Sequence, residues 1–236
     1  MDTQTRHAMK RDALVDSAQS ALGWLEDHKS EAILFAVVLV VVIAIGVGGT
    51  LFVQHRNDAA AAEFGAAMDI YSAPVAQPGV PAQPGMRTYP TAKVRAEAAN
   101  AEFGKVAGDY GSTDAGKQAQ YFTGLTYMEM GNIGAAETAL KKTVDHGGRN
   151  LAALANLALV SIYEQSGRTS DAEQLLKDLA AHPTTTVPAG QSKLELAAIY
   201  ERTNPEAAKK IYAQLKDKDS QTAAGQIAAQ KLQGAR

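Results

Sequence analysis

The chain has five histidines, His7, His28, His55, His146 and His182, and no two stand four residues apart as a helical metal pair would. None sits in an HExxH arrangement, in which two ring nitrogens hold zinc and the glutamate activates a water. Cysteine is absent, which removes thiolate zinc sites, iron–sulfur clusters and disulfides. The run Gly46-Val47-Gly48-Gly49-Thr50 imitates a phosphate loop but lacks its lysine and lies inside an apolar stretch. No serine, histidine and acid can be grouped by spacing, and the carboxylates are scattered as solvated or i, i+4 paired charges would be. The expectation is a non-enzymatic protein with no catalytic residue, metal or cofactor and no small-molecule substrate. A formal net charge of -2 gives no electrostatic footprint for nucleic acid.

If the chain does no chemistry, its elements must position something else. Ala32 to Val53 is twenty-two residues without a charge. As a helix rising about 1.5 Å per residue it reaches about 33 Å, the thickness of a hydrocarbon core. A cleaved leader has a shorter apolar run after a short charged stretch, although Ala59 to Ala62 imitates a cleavage site; a buried core helix is rarely apolar on every face. A single transmembrane helix is therefore expected over 32–53. Residues 1–31 carry Arg6, Lys10, Arg11 and Lys29, whereas 54–84 carry only Arg56. The positive-inside bias places the N-terminus in the cytoplasm and the bulk of the chain on the extracytoplasmic side of a bacterial inner membrane.

Residues 8–28 have Leu14, Ala18, Leu22 and Leu25 on one helical face, with Trp24 beside it. That pattern suits either an amphipathic helix on the cytoplasmic headgroups or a lead-in that only orients the span. Within the span, Ala44, Gly46, Gly48 and Thr50 form small i, i+4 pairs that would admit a membrane partner closely. Past it, Asn57-Asp58 can cap a juxtamembrane helix over 54–72 with an apolar face of Phe64, Ala67, Met68 and Tyr71. Five of the eight prolines fall between Pro74 and Pro90, so 73–90 is expected to be an exposed connector outside helix and sheet. From 91 to 236 the period is helical throughout, opening with a stripe of Ala99, Phe103, Val106, Ala107 and Tyr110 and with Ser112, Thr113 or Asp114 free to cap the next helix.

Three stretches of this region repeat. Tyr127, Tyr163 and Tyr200 align, then Gly131, Gly167 and Asn204, then Ala136, Ala172 and Ala208, then Leu140, Leu176 and Tyr212. The alanine intervals are both 36 residues and the tyrosine intervals 36 and 37. Tyrosine packs across a helical hairpin, Gly or Asn takes a left-handed turn, alanine lets the second helix approach, and the large apolar residue fills the gap to the next hairpin. Gly124, then Ala158 or Val160, then Ala197 stand at a small position before the tyrosine. This order resembles the tetratricopeptide repeat, without its first-helix tryptophan. The resemblance implies an all-α fold: one N-terminal transmembrane helix, then a right-handed solenoid of hairpins. The final segment, with Ala224, Ile227, Ala228 and Lys231 on one face, is expected to cap it.

The whole layout is similar to the YfgM family, ancillary subunits of the SecYEG translocon. That resemblance implies protein partners: translocon subunits, periplasmic chaperones or nascent chains. Another membrane-anchored adaptor, for envelope assembly or cell division, has the same outline. In a right-handed stack the first helices line the concave surface. The expected groove is Gln118, Tyr121, Leu125 and Met128, then Leu154, Leu157 and Ser161, then Gln191, Leu194 and Ala198, a mixed apolar and amide surface suited to an extended peptide. Some of these side chains serve equally well as interhelix packing.

Overall fold

The computed structural model describes residues 29–76, 79, 85 and 87–234. The segment 8–28 with Trp24, and the middle of the proline-rich connector, lie outside the described residues. The chain divides after His55 into two units.

In the first unit the described residues belong to one helix, α1 (Lys29–Tyr71), which continues into the second. An 18-residue window of α1 has mean hydropathy 3.0 and none of it is buried, so the helix is long and apolar enough to cross a membrane. Ile33, Phe35 and Ile45 are each more than 60% exposed. An apolar surface of this extent on every side of a helix calls for lipid or protein around it. The expected cap at Asn57-Asp58 does not form, because the helix runs straight through both residues. No glycine or proline interrupts Gln54 to Ala62, and extending a helix costs far less than nucleating a second one.

The second unit is built from the end of α1 and eight further helices: α2 (Ala92–Asp109), α3 (Asp114–Glu129), α4 (Ile133–His146), α5 (Arg149–Gln165), α6 (Thr169–Ala181), α7 (Ala189–Thr203), α8 (Pro205–Lys218) and α9 (Ala223–Gly234). The three expected hairpins are α3–α4, α5–α6 and α7–α8. A fourth precedes them, in which residues 56–71 of α1 act as first helix and α2 as second. Along the second helices, Ala99, Ala136, Ala172 and Ala208 align, as do Phe103, Leu140, Leu176 and Tyr212, and Val106, Thr143, Leu179 and Leu215. None of the twelve is more than 4% exposed. The early unit escapes a sequence alignment because the connector stands where the other hairpins turn in one to three residues. Among its described residues the connector forms no strand, but one isolated parallel bridge between Val75 and Tyr89 closes its neck. Aromatic rings fill the joint to the next hairpin: Phe103 stacks on Phe122 at 5.1 Å, with Tyr71 5.5 Å from Phe122 and Phe64 5.7 Å from Phe103.

Gly131 and Gly167 take the left-handed conformation at φ +76° and +72°. Asn204 does not: its φ is -155°, and its side chain accepts the Ala207 N–H as an N-cap. Pro205 holds the residue before it extended and starts α8 at once. Asn204 thus corresponds to Asn132, which caps α4 through the Ala135 N–H, and not to Gly131. At the small position the residue after Gly124 is Val160, 1% exposed, with Ala158 only partly buried.

α9 starts as α3 does. Thr113 donates to the Tyr110 carbonyl and accepts the Gly116 N–H; Thr222 does the same with Asp219 and Gly225. In α9 Ala228 is fully buried and Ala224 packs beside it, but Ile227 is 44% exposed and Lys231 reaches out to Glu201. Ile227 therefore does not belong to the capping face; it falls at the position Gln118 holds in α3. Gln226, Gln230 and Gln233 are also exposed.

A Cβ at Gly116 would stand 1.9 Å from the Tyr110 carbonyl oxygen, whereas one at Gly104, in the exposed middle of α2, would meet nothing within 4 Å. Gly116→Ala is expected to destabilise the full chain by about 3 kcal/mol, as overpacking against backbone does, and Gly104→Ala to stabilise it by roughly 0.5–1 kcal/mol through helix propensity. Urea denaturation of the two variants in detergent checks the opposite signs.

Candidate protein-binding face

The first helices α3, α5 and α7 present their residues in register. Gln118, Leu154 and Gln191 are equivalent, then Tyr121, Leu157 and Leu194, then Leu125, Ser161 and Ala198. Gln118, Ser161 and Ala198 are exposed; the other six and Met128 are half-buried. Tyr121, Met128 and Leu157 pack against the central core, Leu154 and Leu157 against Ala153, Leu179 and Val187, and Leu194 against the last hairpin's cluster. Burial pushes the Tyr121 phenol above its ordinary pKa. The ten residues therefore form an outer row of small and polar side chains over an apolar layer that also holds the helices together.

Two depressions show what the spacing argument missed. One, of about 520 Å³, is lined by Ser161, Glu164, Gln165, Thr169, Arg202 and Thr203, all polar, with Glu164 and Arg202 paired at 2.5 Å. The other, of about 420 Å³, is lined by Glu201, Ile227, Gln230, Lys231 and Gly234, so the face continues onto α9. Glu164 and Glu201 hold the position of Met128 in the next two hairpins. That register was available in the sequence, but a glutamate there reads as an ordinary solvated charge.

Polar contacts clasp neighbouring hairpins. Arg168 stacks 3.9 Å over the Tyr163 ring and bonds both Asp171 and, from the preceding hairpin, Glu137. The hydrogen bond from Lys141, and after it that from Arg168, hold the Glu137 carboxyl below its usual range. Glu173 accepts from the Tyr200 hydroxyl at 3.1 Å, and Glu201 from Tyr212 at 2.9 Å and Lys231 at 3.0 Å. Such exposed pairs set register more than they add stability. Among the described residues no group of three or more His, Asp or Glu is placed to hold a metal ion. In α1, Thr50 donates to the Val47 carbonyl, and a Cβ at Gly46 or Gly48 would meet nothing within 4 Å. Ala44 shares this exposed stretch of helix.

In-register hairpins whose first helices share one presented face define a repeat domain of the kind that binds other proteins. The family model described as a tetratricopeptide repeat-like domain matches residues 24–186, and the chain belongs to that family. The match takes in the apolar helix, the early hairpin and the next two; α7 to α9 carry the buried register beyond it. No curated protein and no solved structure matches the chain.

Two polar groups under this face have stability signatures. Ser192 is fully buried with no partner for its hydroxyl, and the aligned residues are Ala119 and Ala155. Ser192→Ala should stabilise by about 1 kcal/mol, since a buried unsatisfied oxygen is removed. Burial first, and then the nearby Glu164, raise the Glu195 pKa against the lowering effect of its bond from Gln191. With the folded pKa above the unfolded one, the folded state binds more protons in that interval, so this group lowers stability as pH rises through it. Glu195→Gln should be more stable than the parent at pH 7, with the difference vanishing below about pH 4 where both forms are neutral. Denaturant midpoints at pH 7 and about pH 3.5 test the sign.

Proposed function

We propose that the protein is a membrane-anchored scaffold whose repeat face holds an extended segment of another protein on the extracytoplasmic side of a bacterial inner membrane. The observation that carries this reading is the exposed Gln118 of α3 together with Ser161 and Ala198, exposed at equivalent positions of α5 and α7, all seated on a supported apolar layer. Small and amide side chains over a firm floor accept a peptide main chain without demanding one side-chain sequence. The fully exposed apolar helix serves as the anchor, and the Lys and Arg count before and after it orients the N-terminus to the cytoplasm. Anchoring raises the local concentration of the face near membrane partners, so modest affinity suffices. The partners are the Sec translocon together with periplasmic chaperones or emerging chains, and the domain layout of residues 1–31, 32–53, 54–72, 73–90 and 91–236 serves that placement. Ala44, Gly46, Gly48 and Thr50 supply a close-packing stripe for a partner helix in the bilayer.

A photo-crosslinking residue placed at Gln118, Ser161 or Ala198 in the full chain in native membranes should capture translocon subunits, chaperones or exported chains, and one at exposed Gln174 on α6 should not. Recovery of envelope-assembly or division proteins alone would replace the translocon reading by that of another adaptor. Equal capture from Gln174 would remove the face from the binding role. Added protease should digest the repeat domain in spheroplasts; full protection would reverse the orientation.

A further inference from the structure

A small depression of about 130 Å³ lies between α2, α3 and α4, on residues that belong to none of the ten positions of the repeat face. Its titratable lining is entirely basic: Lys117 from the first turn of α3, and Lys142 with His146 from the last turns of α4. Lysines on α4 and α6 are otherwise neutralised within their helices, Lys141 by Glu137 and Lys177 by Glu173, each four residues away. Lys142 and His146 have no carboxylate partner among the described residues, and Lys117 has only the outer limit of one, Asp114 at 4.0 Å. The remaining polar lining is spent internally, since the Gln120 amide and the Thr143 hydroxyl both donate to the Ala139 carbonyl. Gly111, Gly116 and Gly147 complete the wall, and side chains there would collide with the carbonyls of Ala107, Tyr110 and Thr143. At these three positions the backbone approaches too closely to admit a side chain, and the charged and titratable lining of the hollow is two lysines and a histidine.

We propose that this hollow binds a small oxyanion, a carboxylate or a phosphate, held by Lys117, Lys142 and His146. Two ammonium groups and an imidazole around a volume of this size match an anion with several acceptor oxygens, and no acid stands in the lining. The site is separate from the repeat face, so an acidic side chain of a partner could engage it while the face holds an extended segment.

The test uses the full chain in detergent micelles with ring-labelled histidines, the His146 signal being assigned by its loss in His146→Gln. Sodium phosphate and sodium glutarate are titrated separately at fixed pH and constant ionic strength, with chloride as the compensating anion. The expected result is a saturable shift of the His146 signal alone, weakened about fivefold or more in Lys142→Gln and in Lys117→Gln. Saturation by glutarate at lower concentration than phosphate identifies a carboxylate site, and the reverse order a phosphate site. No saturable shift with either anion, or an undiminished one in the Lys117→Gln, Lys142→Gln double variant, overturns the proposal. Unchanged helical circular dichroism in the lysine variants, whose side chains lie at the rim, separates lost binding from lost fold.

Discussion

The α3–α4 hairpin closes on a contact that leaves no room for error. In α3–α4 a Cβ at Gly124 would come within 2.7 Å of the buried Leu140 side chain. The same face of α4 carries Ala136, fully buried against the neighbouring hairpin. A small residue on one helix and a wedge on the other fix both the separation and the rotation of the pair, because packed interiors tolerate neither gaps nor overlaps. Once one pair is set, the next must take the same geometry, and twelve buried side chains in three aligned rows follow from it. Burying a Leu or Phe contributes roughly 1.5–3 kcal/mol, well above what exposed ion pairs between hairpins add. The hydrophobic rows therefore determine the stack, and clasps such as Arg168 with Glu137 adjust it.

How much of this could be read from the sequence depended on whether a residue's role was set locally. The Tyr, Gly, Ala, Leu register was legible because the same residue types recur at a fixed interval, and Gly131 and Gly167 stand in the left-handed conformation their type implies. Asn204 was misplaced since asparagine can end one helix or begin the next, and Pro205 decides between the two only through the geometry it forces on its neighbour. The hairpin made by the end of α1 and α2 was hidden by the connector, although Ala99, Phe103 and Val106 hold the right intervals. The candidate face could be written from the sequence as a set of helical positions, but its division into two layers could not. Whether Tyr121 faces a ligand or the core depends on Phe122 and the next hairpin, which no local pattern specifies. The all-polar depression around Glu164 and Arg202 was illegible for another reason: its members come from three helices.

The two units of the chain differ in what becomes of their apolar residues. The apolar part of α1 is exposed and is long and apolar enough to cross a membrane. The repeat unit buries its apolar residues in the usual way and covers itself with charges, amides and small residues. Membership of a tetratricopeptide repeat-like family accounts for the second unit as a domain for protein contact.

A solenoid has no intrinsic length: the geometry that adds one hairpin adds the next, and a terminal helix of standard build is an invitation to whatever presents a matching partner helix. In α9 that invitation is withdrawn chemically, not sterically. Gln226, Gln230 and Gln233 cover with amides a side where earlier helices receive their mates. Water satisfies those amides at no cost, whereas a second molecule docking there would have to strip and re-pair each of them. α9 thus turns a wet amide surface outward where an apolar one would favour stacking of a further helix.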